Sequence, residues 1–356
     1  MAVPKPASKG VVGMKITARM GLLGCLMAGA MAAVKIGRKS RRISFKGLSV
    51  VITGGSRGLG LELARLFAGE GARLALVARD VEELERAGLE LEAAGAEVHI
   101  YQCDVGNQED VERTVQAIIG ECGRVDVLIN NAGIVQVAPF ENFAVQDFKE
   151  AMDTHAWGAL YMIRSIAPLM KRQGGGRIVN ISSIGGLVAV PHLLPYSMSK
   201  FALTALSDGL RSELAKDGIL VTTVAPGLMR TGSHIHALLK GQYQKEYAWF
   251  SISDANPLLS AHSRRAAKQI VNACRYGAPR LIITLPAALL HLLNANFSGL
   301  TTAATRLAAR MLPSPVLGHS SPQTGLASGS WAAPSFLTRL ADKASLHNNE
   351  LPIKGH

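Results

Sequence analysis

One pattern governs what this chain can become. Short apolar runs alternate with longer helical stretches from residue 49 to about 224. Strands are expected at Ser49–Thr53 and at 73–78, 97–101, 125–130, 177–182 and 219–224. Helical patterns lie between them at about 61–68, 81–94, 108–121, 143–172 and 196–216. A helix between two strands carries the chain back to its starting end, so the strands become parallel neighbours. Repeating that unit implies an α/β fold: a doubly wound parallel sheet with helices on both faces. Hydrophobic residues make up 48% of the chain and charged residues 18%, enough apolar matter to bury such a sheet on both sides.

Ligands of a doubly wound sheet meet the loops at the carboxyl ends of its strands. The first of these loops reads Thr53-Gly54-Gly55-Ser56-Arg57-Gly58-Leu59-Gly60 and runs into a helix. Glycines let the backbone approach a ligand, and a helix N-terminus offers free N–H groups to a phosphate. The later loops carry Arg79, Asp104, Asn130-Asn131-Ala132-Gly133, Ser183 and Pro226-Gly227. Tyr196 and Lys200 are four apart, which on a helix puts both on one face. A cation beside a phenol favours the phenolate and lowers its pKa from about 10. Ser183 can offer a hydroxyl to the same substrate oxygen. The three together make a proton-transfer site for a carbonyl or an alcohol.

The segment from about 47 to 256 resembles the short-chain dehydrogenase/reductase family. The matching motifs, in family order, are Thr53-Gly54-x-x-x-Gly58-x-Gly60, Asp104, Asn130-Asn131-Ala132-Gly133, Ser183, Tyr196-x-x-x-Lys200 and Pro226-Gly227-x-x-x-Thr231. The resemblance implies a Rossmann-type sheet, a nicotinamide dinucleotide and hydride transfer. It also implies Tyr196 as acid/base, Ser183 as the residue that orients the substrate oxygen, and Lys200 as the holder of the nicotinamide ribose. The implied nucleotide contacts are Thr53, Gly54, Ser56, Arg57, Gly58, Leu59, Gly60, Arg79, Asp104, Val105, Asn131, Ala132, Gly133, Tyr196, Lys200, Pro226, Gly227 and Thr231. Asp104 stands where the family has an adenine-contacting acid.

Two positions bear on what the site does with its cofactor. The second strand runs into Arg79 and then Asp80, and Arg57 lies in the glycine turn. Two guanidiniums suit a 2′-phosphate, so NADP(H) is expected over NAD(H). Asp80 either faces the ribose or caps the following helix. The family usually places an asparagine in an Asn-x-x-Gly setting after Asn-Asn-Ala-Gly; here His155 stands there, in Thr154-His155-Ala156-Trp157-Gly158. It is either a member of the proton relay or a buried, satisfied histidine.

Beyond the motifs, residues 228–256 are expected to form a substrate lid, with Tyr243, Tyr247, Trp249 and Phe250 over a bulky apolar substrate. His192, Leu193 and Leu194 are placed at its mouth. No cation stands out as a ligand for a substrate carboxylate. Residues 257–312 are expected to complete the domain with a strand at Leu281–Thr284 and two short apolar helices. Residues 313–356, rich in Pro, Ser, Gly and Ala, are expected to form a disordered tail.

Net charge is +12, but its distribution is uneven. Residues 1–46 hold ten Lys/Arg and no acid, and residues 257–356 hold ten Lys/Arg and two acids, leaving the middle at −6. An acidic middle argues against a nucleic-acid partner, and basic ends beside apolar segments suit an anionic membrane surface. Met20 to Val34 is an uncharged run of fifteen residues, about 22 Å as a helix, short of the roughly 30 Å hydrocarbon core. A short anchor, a loosely packed helix and a signal peptide compete for it, in that order. The catalytic domain is expected in the cytoplasm, with tethering to the inner face of a membrane as the companion idea. Cys25, Cys103, Cys122 and Cys274 form no Cys-x-x-Cys and no zinc pattern, so no metal site is expected. The family commonly forms homo-oligomers, which is the expectation here. The leading function is NADP(H)-dependent carbonyl/secondary-alcohol interconversion on a lipophilic substrate. A 3-oxoacyl thioester reductase is the alternative, and a non-catalytic NADP(H) sensor or scaffold is the alternative from another class.

Overall fold

Seven segments rich in β-branched and aliphatic residues pair into one sheet in a computed structural model of the chain. The structure describes residues 40–316, 318, 321–329, 333, 335 and 338–351. The chain runs through β1 (Ser49–Thr53), α1 (Gly58–Gly69), β2 (Arg73–Ala78), α2 (Val81–Ala93), β3 (Val98–Gln102), α3 (Gln108–Cys122) and β4 (Val127–Asn130). It continues through α4 (Val145–Met152), α5 (Gly158–Arg172), β5 (Gly176–Ile181), α6 (Leu194–Glu213) and β6 (Ile219–Pro226). The lid helix α7 (Tyr243–Ala255), then α8 (Ser263–Arg275), β7 (Arg280–Ile283), α9 (Leu285–Asn296), α10 (Ser298–Met311) and α11 (Arg339–His347) complete it.

The sheet order is β7-β6-β5-β4-β1-β2-β3, every pair parallel. Both faces are covered, so the central strands read as unbroken apolar runs: all five residues of β1 and all four of β4 are buried. The chain winds one way from β1 to β3 and the other way from β4 onward. The switch point lies between β1 and β4, where a crevice opens at the carboxyl ends of the strands.

Caps set several boundaries. The Asp80 carboxylate accepts the Glu83 N–H at 2.9 Å and starts α2, while Asn107 does the same for α3 through Asp110 at 3.1 Å. Gly123, at φ +69°, ends α3 in the left-handed region. The expected helix over 143–172 is divided: a π turn at Asp153–Trp157 separates α4 from α5 and buries His155 and Ala156. The added residue in that turn lets one side chain reach inward without ending the helix.

The two apolar helices after β7 are present, but they bury little of themselves. Only Ala287 of α9 and Thr301 of α10 are buried, while Leu285, Leu289, Leu292, Phe297, Leu300 and Leu307 are exposed. No helix among the described residues is long and apolar enough to cross a membrane. The apolar run 20–34 lies outside the described residues.

Among the described residues of 313–356, the expected disorder is corrected by the structure. Gln323–Thr324 pairs with Leu238–Leu239, and α11 packs its Ala341 and Ser345 against the body. Small residues there bring backbone close to backbone, so packing with few large side chains suffices to order the segment. Composition argued for disorder because it counts bulk and cannot register that fit.

Candidate active site

The loops after β1 and β4 are tied across the switch point. The Thr53 hydroxyl accepts the N–H of Asn131 at 3.0 Å and of Ala132 at 3.1 Å. Asn131 Nδ2 in turn donates to the carbonyls of Thr53 at 3.1 Å and Gly54 at 3.0 Å. No side chain fits at Gly54 or Gly60 of this turn. A Cβ on Gly54, whose φ is +62°, would lie 2.9 Å from Ala132 Cα, and one on Gly60 would lie 1.9 Å from the Gly54 carbonyl oxygen. The amides of Leu59 and Gly60 begin α1 and find no acceptor among the described residues. This backbone cradle at a helix N-terminus fits a phosphate of a bound dinucleotide.

The cradle is one end of a cleft of about 720 Å³. Every candidate residue named above for catalysis or nucleotide contact lines it, except Thr53 and Gly60, which lie beneath and hold the turn.

At the glycine-turn end the charges are not as expected. Arg57 is no free cation: its Nε meets Glu83 at 3.0 Å and its Nη1 is paired with Glu350. Burial alone would lower the Arg57 pKa, and the two carboxylates more than reverse that, leaving it raised. Ser56 donates to the same Glu83 at 3.0 Å. Arg79 is exposed at the end of β2, and its guanidinium has no ion pair among the described residues. Asp80 is the cap of α2. Asp104 lines the cleft while its Oδ1 accepts the Gly106 N–H at 3.0 Å.

At the other end α6 carries Tyr196 and Lys200 on one face. Lys200 Nζ donates to the Ile181 carbonyl at 2.8 Å and lies 5.6 Å from the centre of the Tyr196 ring. Burial pushes its pKa down to about 7. Burial raises the Tyr196 pKa, and the hydrogen bond from Ser183 partly offsets this. Ser183 closes the turn after β5, its hydroxyl accepting the Gly185 N–H at 3.0 Å. A Cβ on Gly185 would stand 3.2 Å from the Tyr196 ring, so this turn and that ring are in direct contact.

His155 sits beside them, edge-on to Tyr196 with ring centres 5.4 Å apart. Its Nε2 accepts the Ile134 N–H at 3.1 Å, and its Nδ1 lies 2.7 Å from Ser199 Oγ. Ser199 gives its one proton to the Tyr196 carbonyl at 2.9 Å. Nδ1 must therefore be the donor to Ser199 and Nε2 the acceptor, which assigns a neutral ring from the network. Burial, then the Lys200 cation, hold the His155 pKa well below its ordinary value. Both ring nitrogens are committed, and the satisfied-histidine alternative is the one these contacts favour.

The lid aromatics pack inward more than they line the cleft. Tyr247, Trp249 and Phe250 cluster with Val135, Val137, Leu193 and Tyr196. The buried Glu246 joins His192 at 2.9 Å and Trp249 Nε1 at 2.6 Å, which staples α7 to the loop before α6. His192 is held at φ +62° there, a strained position for a side-chain-bearing residue. Met229, Thr231, Ser233 and His236 are the lid residues that line the cleft.

Sequence reasoning missed the segment that closes the glycine-turn end. After α11, Asn348, Asn349 and Glu350 lie against Ser56, Arg57 and Gly58. A signal was available: Asp342 and Glu350 are the two acids of the last hundred residues. Both are used, Asp342 meeting His234 at 3.4 Å and Glu350 meeting Arg57.

Fold and cleft together define a nucleotide-binding oxidoreductase with a serine, tyrosine and lysine site. The family described as short chain dehydrogenase matches residues 49–238. The gluconate 5-dehydrogenase of Gluconobacter oxydans is 36% identical over 188 residues, 53% of this chain and 73% of that protein. The fatty acyl-CoA reductase of Acinetobacter baylyi is 36% identical over 192 residues, 53% of this chain and 65% of that protein. The solved structure of L-sorbose reductase from Gluconobacter frateurii, complexed with NADPH and L-sorbose, aligns with a TM-score of 0.61 at 28% identity. That alignment covers 68% of this chain and 97% of the reductase. The chain belongs to the short-chain dehydrogenase/reductase family, Rossmann-fold oxidoreductases acting on alcohol and carbonyl groups.

Proposed function

We propose that this protein is an NADP(H)-preferring oxidoreductase that interconverts a carbonyl and a secondary alcohol on a lipophilic substrate, with Tyr196 as the acid/base. The observation that carries the reading is the meeting of Ser183, Tyr196 and Lys200 in the same cleft as the glycine cradle. When bound, the dinucleotide supplies or takes the hydride. The cradle and the Leu59 amide would hold its phosphates. Ser183 orients the substrate oxygen by a hydrogen bond, and Tyr196 transfers the proton to or from that oxygen. As the phenol, Tyr196 would donate to a carbonyl in reduction, and as the phenolate it would accept from an alcohol in oxidation. Lys200, buried beside the phenol, stabilises the phenolate left after that transfer.

Arg79, unpaired among the described residues, and Asp80, spent on capping α2, support the NADP(H) preference. Ile134, Val135 and Met229, which line the cleft, support an apolar substrate side. A 3-oxoacyl thioester would call for basic residues at the mouth. The nearby cations are already engaged: Lys240 with Asp147 at 2.7 Å, and Arg230 with the Ser260 carbonyl at 2.9 Å. The basic N-terminal extension and the exposed leucines of α9 and α10 are the parts through which the chain would meet a membrane surface. The test is NADPH oxidation against a panel of lipophilic ketones. Tyr196→Phe is expected to lower kcat/KM by about a thousandfold while NADPH still binds. Activity that survives Tyr196→Phe would defeat this reading.

A further inference from the structure

The C-terminal segment lies over the glycine turn as a strap, held at both sides of the cleft. On the lid side, Ser345 Oγ donates to the Gly232 carbonyl at 3.1 Å, and Asn348 Nδ2 donates to the Thr231 carbonyl at 2.8 Å. On the glycine-turn side, the Gly58 N–H donates to the Asn348 carbonyl at 2.9 Å. Asn349 Nδ2 donates to the carbonyls of Ser56 at 2.9 Å and Glu83 at 3.0 Å, and Arg86 Nε donates to its Oδ1 at 2.8 Å. Two glycines make the approach possible. A Cβ on Gly232 would lie 2.4 Å from Ser345 Cα, and one on Gly58 would lie 2.7 Å from Glu350 Oε1.

The strap ends in Glu350, which is 2% exposed. One carboxylate oxygen pairs with Arg57 and lies 3.2 Å from His236 Nε2; the other is buried with no hydrogen-bond partner. A buried carboxylate with an unsatisfied oxygen is held there by the Arg57 cation. With Glu83 on Nε, it takes the guanidinium that an incoming phosphate monoester would need.

We propose that Glu350 is a cofactor-discriminating residue. Delivered by the strap from the far end of the chain, it holds Arg57, so a 2′-phosphate gains that arginine only by displacing it. Arg79 remains the cation that greets the phosphate first. This proposal rests on the dinucleotide reading above but not on which cofactor the wild-type protein prefers.

The experiment measures dissociation constants for NADPH and NADH by fluorescence titration of the full-length protein. Glu350→Gln, nearly the same shape, is expected to tighten NADPH about tenfold and to move NADH by less than about twofold. In an Arg57→Gln background the same change is expected to lose its effect on NADPH, because the pair no longer exists. An unchanged NADPH/NADH ratio in Glu350→Gln overturns the proposal. A second measurement needs no variant. Amide exchange of residues 345–350 in the wild-type chain is expected to rise with saturating NADPH and not with NADH, and equal exchange in the two complexes overturns the proposal as well. A wild type that binds NADH more tightly, but whose ratio still shifts in Glu350→Gln, removes the NADP(H) preference and leaves Glu350 as the discriminator. Binding of neither nucleotide would overturn both.

Discussion

At the catalytic end of the cleft, Ser183 comes from the turn after β5 and Tyr196 and Lys200 from α6, all within eighteen residues of one another. At the nucleotide end, Arg57 meets an acid 293 residues away. The catalytic end buries its cation with no carboxylate in contact: Lys200 rests on a backbone carbonyl, and burial drives its pKa down to about 7. The nucleotide end holds a half-buried cation between two carboxylates, and its pKa rises. An unneutralised buried charge is poised to act on whatever enters, whereas a neutralised one must first be released. On the roles proposed above, the two ends of one cleft tune opposite things: reactivity at one, selectivity at the other.

Lys200→Met tests the catalytic side of this contrast most severely. It is expected to lower kcat by about a hundredfold to a thousandfold, since the phenolate loses its cation. It is also expected to raise stability in acid. The folded pKa of about 7 lies below the reference 10.5, so the unfolded chain binds the extra proton between those values. The burial penalty is full below pH 7 and fades as pH rises toward 10.5. Thermal melting should therefore show the variant above the wild type at pH 6, with the gap closing by pH 10. A gap that does not depend on pH would mean that Lys200 is not a penalised charge.

His155→Asn is expected to do less. The ring is neutral and committed on both nitrogens, so the pH profile of turnover should keep its shape while stability falls by about 1–2 kcal/mol from the lost hydrogen bonds. A displaced profile would return His155 to the proton path and weaken the distinction between its charge-free role and that of Lys200. Asp80→Ala sharpens the nucleotide side with the smallest effect. Loss of the α2 cap is expected to remove about 1 kcal/mol in urea unfolding, with the NADPH/NADH ratio unchanged. A changed ratio would place Asp80 at the ribose.

Much of this was readable in advance, for a physical reason. Strand and helix periodicity are local, so the alternation of six strands with five helical stretches, and with it the doubly wound parallel sheet, follows from the apolar runs, while the strand order is seen only in the structure. The glycine turn and the Tyr196–Lys200 spacing are local as well. The π turn at 153–157 was not readable, because one added residue in a helical turn leaves the apolar pattern nearly unchanged. The tautomer of His155 was not readable, because it depends on Ser199 and Ile134, which only folding brings to it. The lid aromatics could be assigned to the neighbourhood of the site, but not to its packing side.

By itself, then, the sequence determined the doubly wound sheet and singled out the glycine turn and the Ser183, Tyr196 and Lys200 set that folding brings into one cleft, since each is written in spacings of a few residues. Only the tertiary structure decided that Arg57 is already paired, that Asp80 caps α2, and that the last described residues lie against the glycine turn and not as a loose tail. Those facts depend on backbone approaches at Gly58 and Gly232 and on one carboxylate crossing the whole chain. Such contacts have no period and no local composition to announce them.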